Sequence, residues 1–511
     1  MSQEVELKLR ITPADTPRVL DHPFFKDIAQ GEFRSELLVS VYYDTPQLDL
    51  KRQGITLRLR QQGSQWMQTV KAAGKVAAGL HERVEEEWET DENQLNFAAL
   101  GDSQVRDVFA DEQIRGALRP LFVTEVTRTS TLLVFANGDR VEVAVDEGAI
   151  RAGEQILPVC EVELEHKAGH ASRVFEVALS LQNTIPLAVE NVSKAERGYR
   201  LATQAVLTPS KAKAPPLKES LSASEAFGSI MHGCLAHLQA NEEGGLQGKD
   251  PEFVHQMRVA LRRMRSALSL FKDLIPQEYT TTLREELRWL TGELDAARNW
   301  DVFYQQTLPP ILAAFPDDAD LQSLATQSGE LRRVQDQRAQ EAVRAPRYHH
   351  LLLQLGAWLY TQPWRTGAGD GSTVAPELPI GEFAAQVLQK RHKKLRQRGH
   401  QLTTLPPPER HQVRIAAKKL RYATDFFAVL FPRKLAHRYS NTLAALQDVL
   451  GILNDAATAM TLLQELAAAA DNGTPREARG IVRGWVQGTS YLRLQELEHA
   501  WETFLDSKRF W

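Results

Sequence analysis

Cysteine is nearly missing from this 511-residue chain, which holds only Cys160 and Cys234. Two thiols cannot make a disulfide framework, and their spacing matches no metal-ligand motif. Such scarcity points to a reducing, cytoplasmic setting. Long hydrophobic runs are lacking too. No stretch approaches the ~20 apolar residues that cross a bilayer, so no membrane association is expected. Charge begins at Glu4, which argues against a signal peptide.

What is present is an ordinary globular composition, 43% hydrophobic and 25% charged, in a chain long enough for two or three domains. The net charge of −4 hides an asymmetry: residues 1–205 hold 23 Lys+Arg against 32 Asp+Glu, and the remainder holds 38 against 33. An acidic half joined to a basic half implies two different jobs.

The acidic half reads as strands. Glu4-Val5-Glu6-Leu7-Lys8-Leu9-Arg10-Ile11 alternates charged and apolar residues with a period of two, the signature of a β-strand with one charged face. After a helix near Pro13–Phe25, strands are predicted at Leu37–Asp44, Ile55–Gln61, Trp66–Lys71, His81–Thr90, Leu121–Thr129, Leu132–Ala136, Asp139–Asp146 and Val159–Glu165, with a helix over Phe97–Arg119. Asn137-Gly138-Asp139 is a hairpin signal. Consecutive antiparallel strands imply a sandwich or a barrel.

One face of these strands repeatedly carries ions: Arg58 and Arg60; Lys71; Arg83, Glu85 and Glu87; Asp146; and Glu161, Glu163 and Glu165. A solvated face would explain each one singly. In a closed barrel, however, alternate residues point inward, and a lumen holding both signs is tolerable only if the ions pair or bind a neutralising ligand. A string of phosphates fits, with arginine and lysine on its oxygens and carboxylates holding Mg2+ or Mn2+. No His/Cys cluster offers softer ligands.

Glu4-Val5-Glu6-Leu7-Lys8 resembles the signature of the CYTH superfamily, the triphosphate tunnel metalloenzymes. The likeness extends in order through Tyr42-Tyr43-Asp44-Thr45, Arg58/Arg60, Lys71, Arg83 with Glu85, Arg128, Asp146, Glu161/Glu163/Glu165 and Ser193-Lys194-Ala195-Glu196-Arg197-Gly198. The resemblance implies an eight-stranded tunnel that binds a triphosphate-bearing substrate. It implies that Glu4, Glu6, Asp146, Glu161 and Glu163 hold Mg2+ or Mn2+ or orient the attacking water. Arg58, Arg60, Lys71, Arg83, Arg128 and Lys194 would hold phosphate oxygens, with Lys8 between the two groups; Glu4, Glu6 and Lys8 would be catalytic. Which of Glu161, Glu163 and Glu165 coordinates is left open, and Glu85 could instead pair with an arginine.

A Pro/Lys/Ala linker spans Thr208–Ser220. Beyond it the chain reads as helices and repeats itself. His255-Gln256-Met257-Arg258-Val259-Ala260-Leu261-Arg262-Arg263-Met264-Arg265 lines up with His411-Gln412-Val413-Arg414-Ile415-Ala416-Ala417-Lys418-Lys419-Leu420-Arg421 at an offset of 156. The same offset carries Leu294–Asn299 onto Leu450–Asp455. Positions 255, 258, 262 and 265 share an arc of roughly 80°, as do their counterparts, and within the motif no acidic i,i+4 partner relieves the repulsion. With the basic run Lys390–Arg398, this predicts a polyanion partner. Nucleic acid is the weaker candidate, because the basic helices lack interleaved aromatics for stacking.

The paired histidine motifs resemble the CHAD domain, an α-helical module associated with polyphosphate binding. The positions carried over are His255, Arg258, Arg262, Arg265, His411, Arg414, Lys418 and Arg421. Metal ligation by the histidines is disfavoured by cations at i+3 and i+7.

The expectation is therefore an α+β multidomain protein. Residues 1–205 form an eight-stranded antiparallel β-barrel with helices, 206–220 a linker, and 221–511 an all-α duplicated bundle. The bundle's repeats fall at about 221–366 and 380–511, separated by a loop over Gly367–Pro379. The expected activity is metal-dependent hydrolysis of inorganic triphosphate or short polyphosphate, with polyphosphate or its granules bound by the helices. The alternatives are a CYTH-type adenylate cyclase, a thiamine or nucleoside triphosphatase, and a non-catalytic polyphosphate-binding or granule-targeting protein.

Overall fold

The computed structural model describes every residue except 1, 73, 91–92, 102–104, 367–377 and 470–474. The loop expected over Gly367–Pro379 lies almost wholly outside the described residues.

Eight strands close into an antiparallel barrel: β1 (Ser2–Arg10), β2 (Arg34–Asp44), β3 (Thr56–Gln62), β4 (Gln65–Lys71), β5 (Leu80–Thr90), β6 (Arg119–Val134), β7 (Arg140–Ala152) and β8 (Gln155–Ala168). The order around the wall is β1-β8-β7-β6-β2-β3-β4-β5, and β5 pairs back onto β1 through Glu4 opposite Arg83. Closure leaves no free edge along the barrel. Two short strands, Lys75–Ala77 and Ala188–Val189, extend its margin.

The usual distribution of polarity is inverted. The apolar side of β1, Val5, Leu7 and Leu9, is buried on the outside of the barrel, as are Val162 and Leu164 of β8. Helix Arg173–Gln182 packs over them with Val174, Phe175, Val177, Ala178 and Leu181 inward. Helix Pro346–Thr361 packs on Arg173–Gln182 in turn, and His349 accepts a hydrogen bond from the Val189 amide. That helix belongs to the same compact unit as residues 1–208, although it lies far along the chain. The charged faces are left to line the lumen.

Three expectations need correction. Leu121–Thr129 and Leu132–Ala136 are parts of one 16-residue strand, β6; the polar Ser130-Thr131 pair keeps the period of two, so nothing breaks the ladder. The helix expected over Phe97–Arg119 is confined to Arg106–Ala110 and Glu112–Ala117 among the described residues. The one near Pro13–Phe25 is a five-residue helix, Thr16–Leu20, between two 3-10 turns, because Pro13, Pro17 and Pro23 supply no backbone donors.

The second compact unit, residues 209–343 and 362–511, is helical. Its basic motifs lie on helices Pro251–Leu270 and Pro407–Phe427, flanked by Thr281–Val302 and by the long pair Arg433–Ala469 and Arg476–Leu505. Met257, Leu261, Met264 and Leu268 are buried, as their i, i+4, i+7 spacing predicts. Among the described residues no helix is long and apolar enough to cross a membrane.

Candidate active site

Strand register assembles the barrel's site. Inward positions stand opposite one another across the wall: Lys8 and Glu163, Asp146 and Glu161, Arg128 and Asp146, Tyr42 and Arg58, Thr56 and Lys71, Lys71 and Glu85. They enclose a cavity of about 380 Å3 lined by Glu4, Glu6, Lys8, Arg58, Arg60, Lys71, Arg83, Arg128, Asp146, Glu163 and Lys194. Glu161 lies behind this lining, fully buried.

The carboxylates are not equivalent. Asp146, Glu161 and Glu163 gather, each offering an oxygen within 4.8 Å of the others. The Lys194 ammonium donates to all three, at 2.6 Å to Asp146 and 3.0 Å to Glu163. Arg128 holds Asp146 bidentately, at 2.8 and 2.7 Å, and also donates to Glu163. Arg197 donates to Glu161. Burial opposes ionisation of Asp146, but Lys194 and Arg128 outweigh it and hold its carboxyl at about 2. Glu163 is likewise held well below the usual carboxylate range, by Lys194, Lys8 and Arg128 against burial.

Glu4 and Glu6 stand apart from this trio. Glu6 accepts from Lys8 at 2.7 Å, and Lys8 also donates to Glu163, so Lys8 bridges the β1 carboxylate to the trio. Despite burial, Lys8 keeps the Glu6 carboxyl at about 2. Glu4 accepts twice from Lys71 at 2.7 Å, yet burial pushes its carboxyl up to about 7, helped by Glu6 and Glu85. Glu165 pairs with Lys167 at 2.7 Å, away from the trio.

The cationic wall is formed by β3 to β6. Arg58 donates to Thr69 at 3.1 Å and lies 3.6 Å from Glu85 and from Glu87. Arg60 donates to Ser40 at 3.2 Å; burial and the neighbouring Arg58 and Arg128 depress its guanidinium to about 10. Arg83 donates to Nδ1 of His81 at 2.8 Å while Nε2 of that ring faces the Glu190 carbonyl at 3.3 Å. Burial and Lys8 lower this histidine to about 3, so it is neutral with its proton on Nε2.

Lys194 and Arg197 are supplied by helix Lys194–Thr203, whose Ser193 side chain caps its N-terminus. Gly198 allows its approach: a Cβ there would lie 2.1 Å from the Phe122 ring. Asp44, in the run that carried the resemblance, is structural, accepting from the amides of Thr45, Leu50 and Lys51 and from the Tyr199 hydroxyl. Reasoning from sequence missed Arg197, His81, Tyr42 and Thr69 as members of the site. Arg197 and Tyr42 lay within runs already singled out, while His81 shares the face of β5 that carries Arg83, Glu85 and Glu87.

In the helical unit, both basic motifs open onto one cavity of about 410 Å3, lined by His255, Arg258, Arg262, Arg298, Arg414 and Lys418 with Asp295 and Asp455. Arg265, His411 and Arg421 are not in its lining. The missing i,i+4 acids are partly replaced from a facing helix, since Arg258 donates to Asp295 at 2.6 Å. Cations remain in excess: burial and Arg414, Arg262 and Arg258 depress Lys418 to about 7, and burial with Arg298 lowers His255 to about 4. A π-helical turn at Phe303–Thr307 contributes Phe303, Gln306 and Thr307 to the wall here.

The donor set of the trio, three carboxylates with neither sulfur nor imidazole, fits a hard divalent cation. That Lys194 places positive charge among them shows that the pocket stabilises a cation there.

Comparison with known proteins agrees with this division. The CYTH domain family matches residues 2–199 and the CHAD domain family residues 229–464. A curated relative, the inorganic triphosphatase of Haemophilus influenzae, is 34% identical over 212 residues, covering 41% of this chain and 57% of that protein. The chain thus spans little more than half of that relative's length. The crystal structure of the CHAD domain from the plant Ricinus communis is 34% identical, with a TM-score of 0.51, over 60% of this chain and 99% of that one. The chain belongs to the proteins that join a CYTH domain to a following CHAD domain.

Proposed function

We propose that residues 1–205 hydrolyse inorganic triphosphate or short polyphosphate with Mg2+ or Mn2+, and that residues 221–511 bind longer polyphosphate. The observation that carries this reading is the concentration of both signs of charge in one lumen, with a carboxylate trio on β7 and β8 beside arginine and lysine side chains of β3 to β6. Similarity to the Haemophilus inorganic triphosphatase supports it.

Asp146, Glu161 and Glu163 would hold the metal, with Glu4 and Glu6 orienting water. The metal, when bound, lowers the pKa of water and neutralises phosphate charge. Arg58, Arg60, Lys71, Arg83 and Arg128 bind phosphoryl oxygens and stabilise the charge that shifts toward the leaving oxygen. Lys8, fixed between Glu6 and Glu163, contacts the reacting phosphoryl group from the opposite side. Glu4, with a carboxyl at about 7, accepts a proton near neutral pH. Lys194, which reaches the lumen beside these carboxylates, would hold phosphate oxygens.

An inorganic substrate is favoured over an organic one because the cavity lining is almost wholly charged or hydroxylic, with no apolar slot for a base. The test is a panel of tripolyphosphate, ATP and thiamine triphosphate. Tripolyphosphate should lead in kcat/KM by at least ten-fold; parity with either organic triphosphate would overturn the choice of substrate.

A further inference from the structure

The cationic cavity of the helical unit does not end at its phosphate-sized lining. Arg414 and Asn454 are shared with a second cavity of about 380 Å3 between helices Pro407–Phe427, Arg433–Ala469 and Arg476–Leu505. Its character is different. Leu453, Ala457 and Met460 form an apolar floor, and Tyr491, 72% exposed, stands at its mouth beside the amide of Gln487. The boundary between the two cavities is polar and fixed: Arg414 donates to Asn454 at 2.9 Å, and the same oxygen lies 3.1 Å from His411 Nδ1.

We infer that the helical unit takes nucleoside polyphosphates, with the phosphates in the cationic cavity and the base in the adjoining apolar one. The inference rests on the reading that the cationic cavity binds polyphosphate. A fatty acyl anion would satisfy the apolar floor but offers a single charge to a neighbour lined by five arginine and lysine side chains. A bare polyphosphate would satisfy the cations and leave the apolar annex wet. A flat, weakly polar ring joined to several phosphates matches both. An aromatic face supplies stacking of about 1–3 kcal/mol per base, and an amide can pair with a base edge. The stacking residue missing from the basic motif itself is thus provided by a helix some 70 residues further along the chain.

The test uses the full chain, photolabelled with azido-ATP and mapped by peptide mass spectrometry, alongside retention of inorganic polyphosphate on a filter. Label should fall in the peptides of 450–460 or 486–494, and drop at least five-fold in Ala457→Phe and in Tyr491→Ala, while inorganic polyphosphate retention stays within two-fold. Because Tyr491 is exposed, its replacement does not threaten folding. Label confined to the barrel, or no label, with polyphosphate still retained, overturns the inference and leaves the parent reading intact. Polyphosphate retention unchanged in the double variant Arg258→Ala/Lys418→Ala overturns the parent reading, and the inference falls with it.

Discussion

At the scale of single residues, the site is a set of ions whose states are fixed by their neighbours. Arg128 is the clearest case, because it satisfies Asp146 and Glu163 together. Removing it leaves Asp146 with Lys194 alone and Glu163 with Lys194 and Lys8, so Arg128→Ala should lower stability by about 1.5–3 kcal/mol in denaturant titration, and Arg128→Lys should recover only part of this, since lysine cannot form the bidentate pair. Lys418 should behave differently. Held at about 7 by burial and neighbouring cations, it is partly deprotonated in the free protein, and an arriving polyanion restores its proton. Polyphosphate affinity should therefore fall as pH rises from 6 to 8, and calorimetry should record proton uptake on binding. Lys418→Arg, which stays charged, should flatten the profile. At this scale the sequence was most legible: the ions expected on the inward face line the lumen, except Glu161, which is buried behind the lining, because alternation fixes the face. Partnership was not legible, since Asp146 meets Glu161 and Lys8 meets Glu163 only through strand register.

At the scale of elements, helix Lys194–Thr203 matters most. It delivers Lys194 and Arg197 to the carboxylate trio and approaches the wall through Gly198. Gly198→Val should displace the helix by overpacking against Phe122, at a cost of about 1–3 kcal/mol, and should lower triphosphate turnover at least ten-fold. Lys194→Met asks whether a metal competes for the lysine's place. With the lysine gone, Mn2+ should stabilise the variant more than the wild type, by about 2.7 kcal/mol in all at a hundred times its Kd, and Glu163→Gln should erase the accompanying rise in Tm. The strands could be located from the sequence, but two were expected where β6 runs unbroken. The helix expected over Phe97–Arg119 is divided at Asp111, whose side chain caps a separate short helix, Glu112–Ala117.

At the scale of the whole molecule, an acidic and a basic half correspond to two compact units, each with a charged cavity. The sequence placed the basic motifs on a surface face; duplication instead brings both copies to the wall of one cavity, where Arg258 and Arg262 meet Arg414 and Lys418. That convergence depends on how the repeats pack, which no single helix encodes. Helix Pro346–Thr361 belongs to the barrel unit, a placement that no local pattern announces.

The central claim is that the lumen of the barrel hydrolyses inorganic triphosphate through its own ions. It is tested most directly by phosphate release from tripolyphosphate with Mg2+ or Mn2+, comparing the wild type with Glu4→Ala and Lys8→Ala, with circular dichroism confirming that each variant is folded. Rapid release by the wild type and a loss of at least a hundred-fold in both folded variants are expected; undiminished turnover in both would remove these ions from the chemistry.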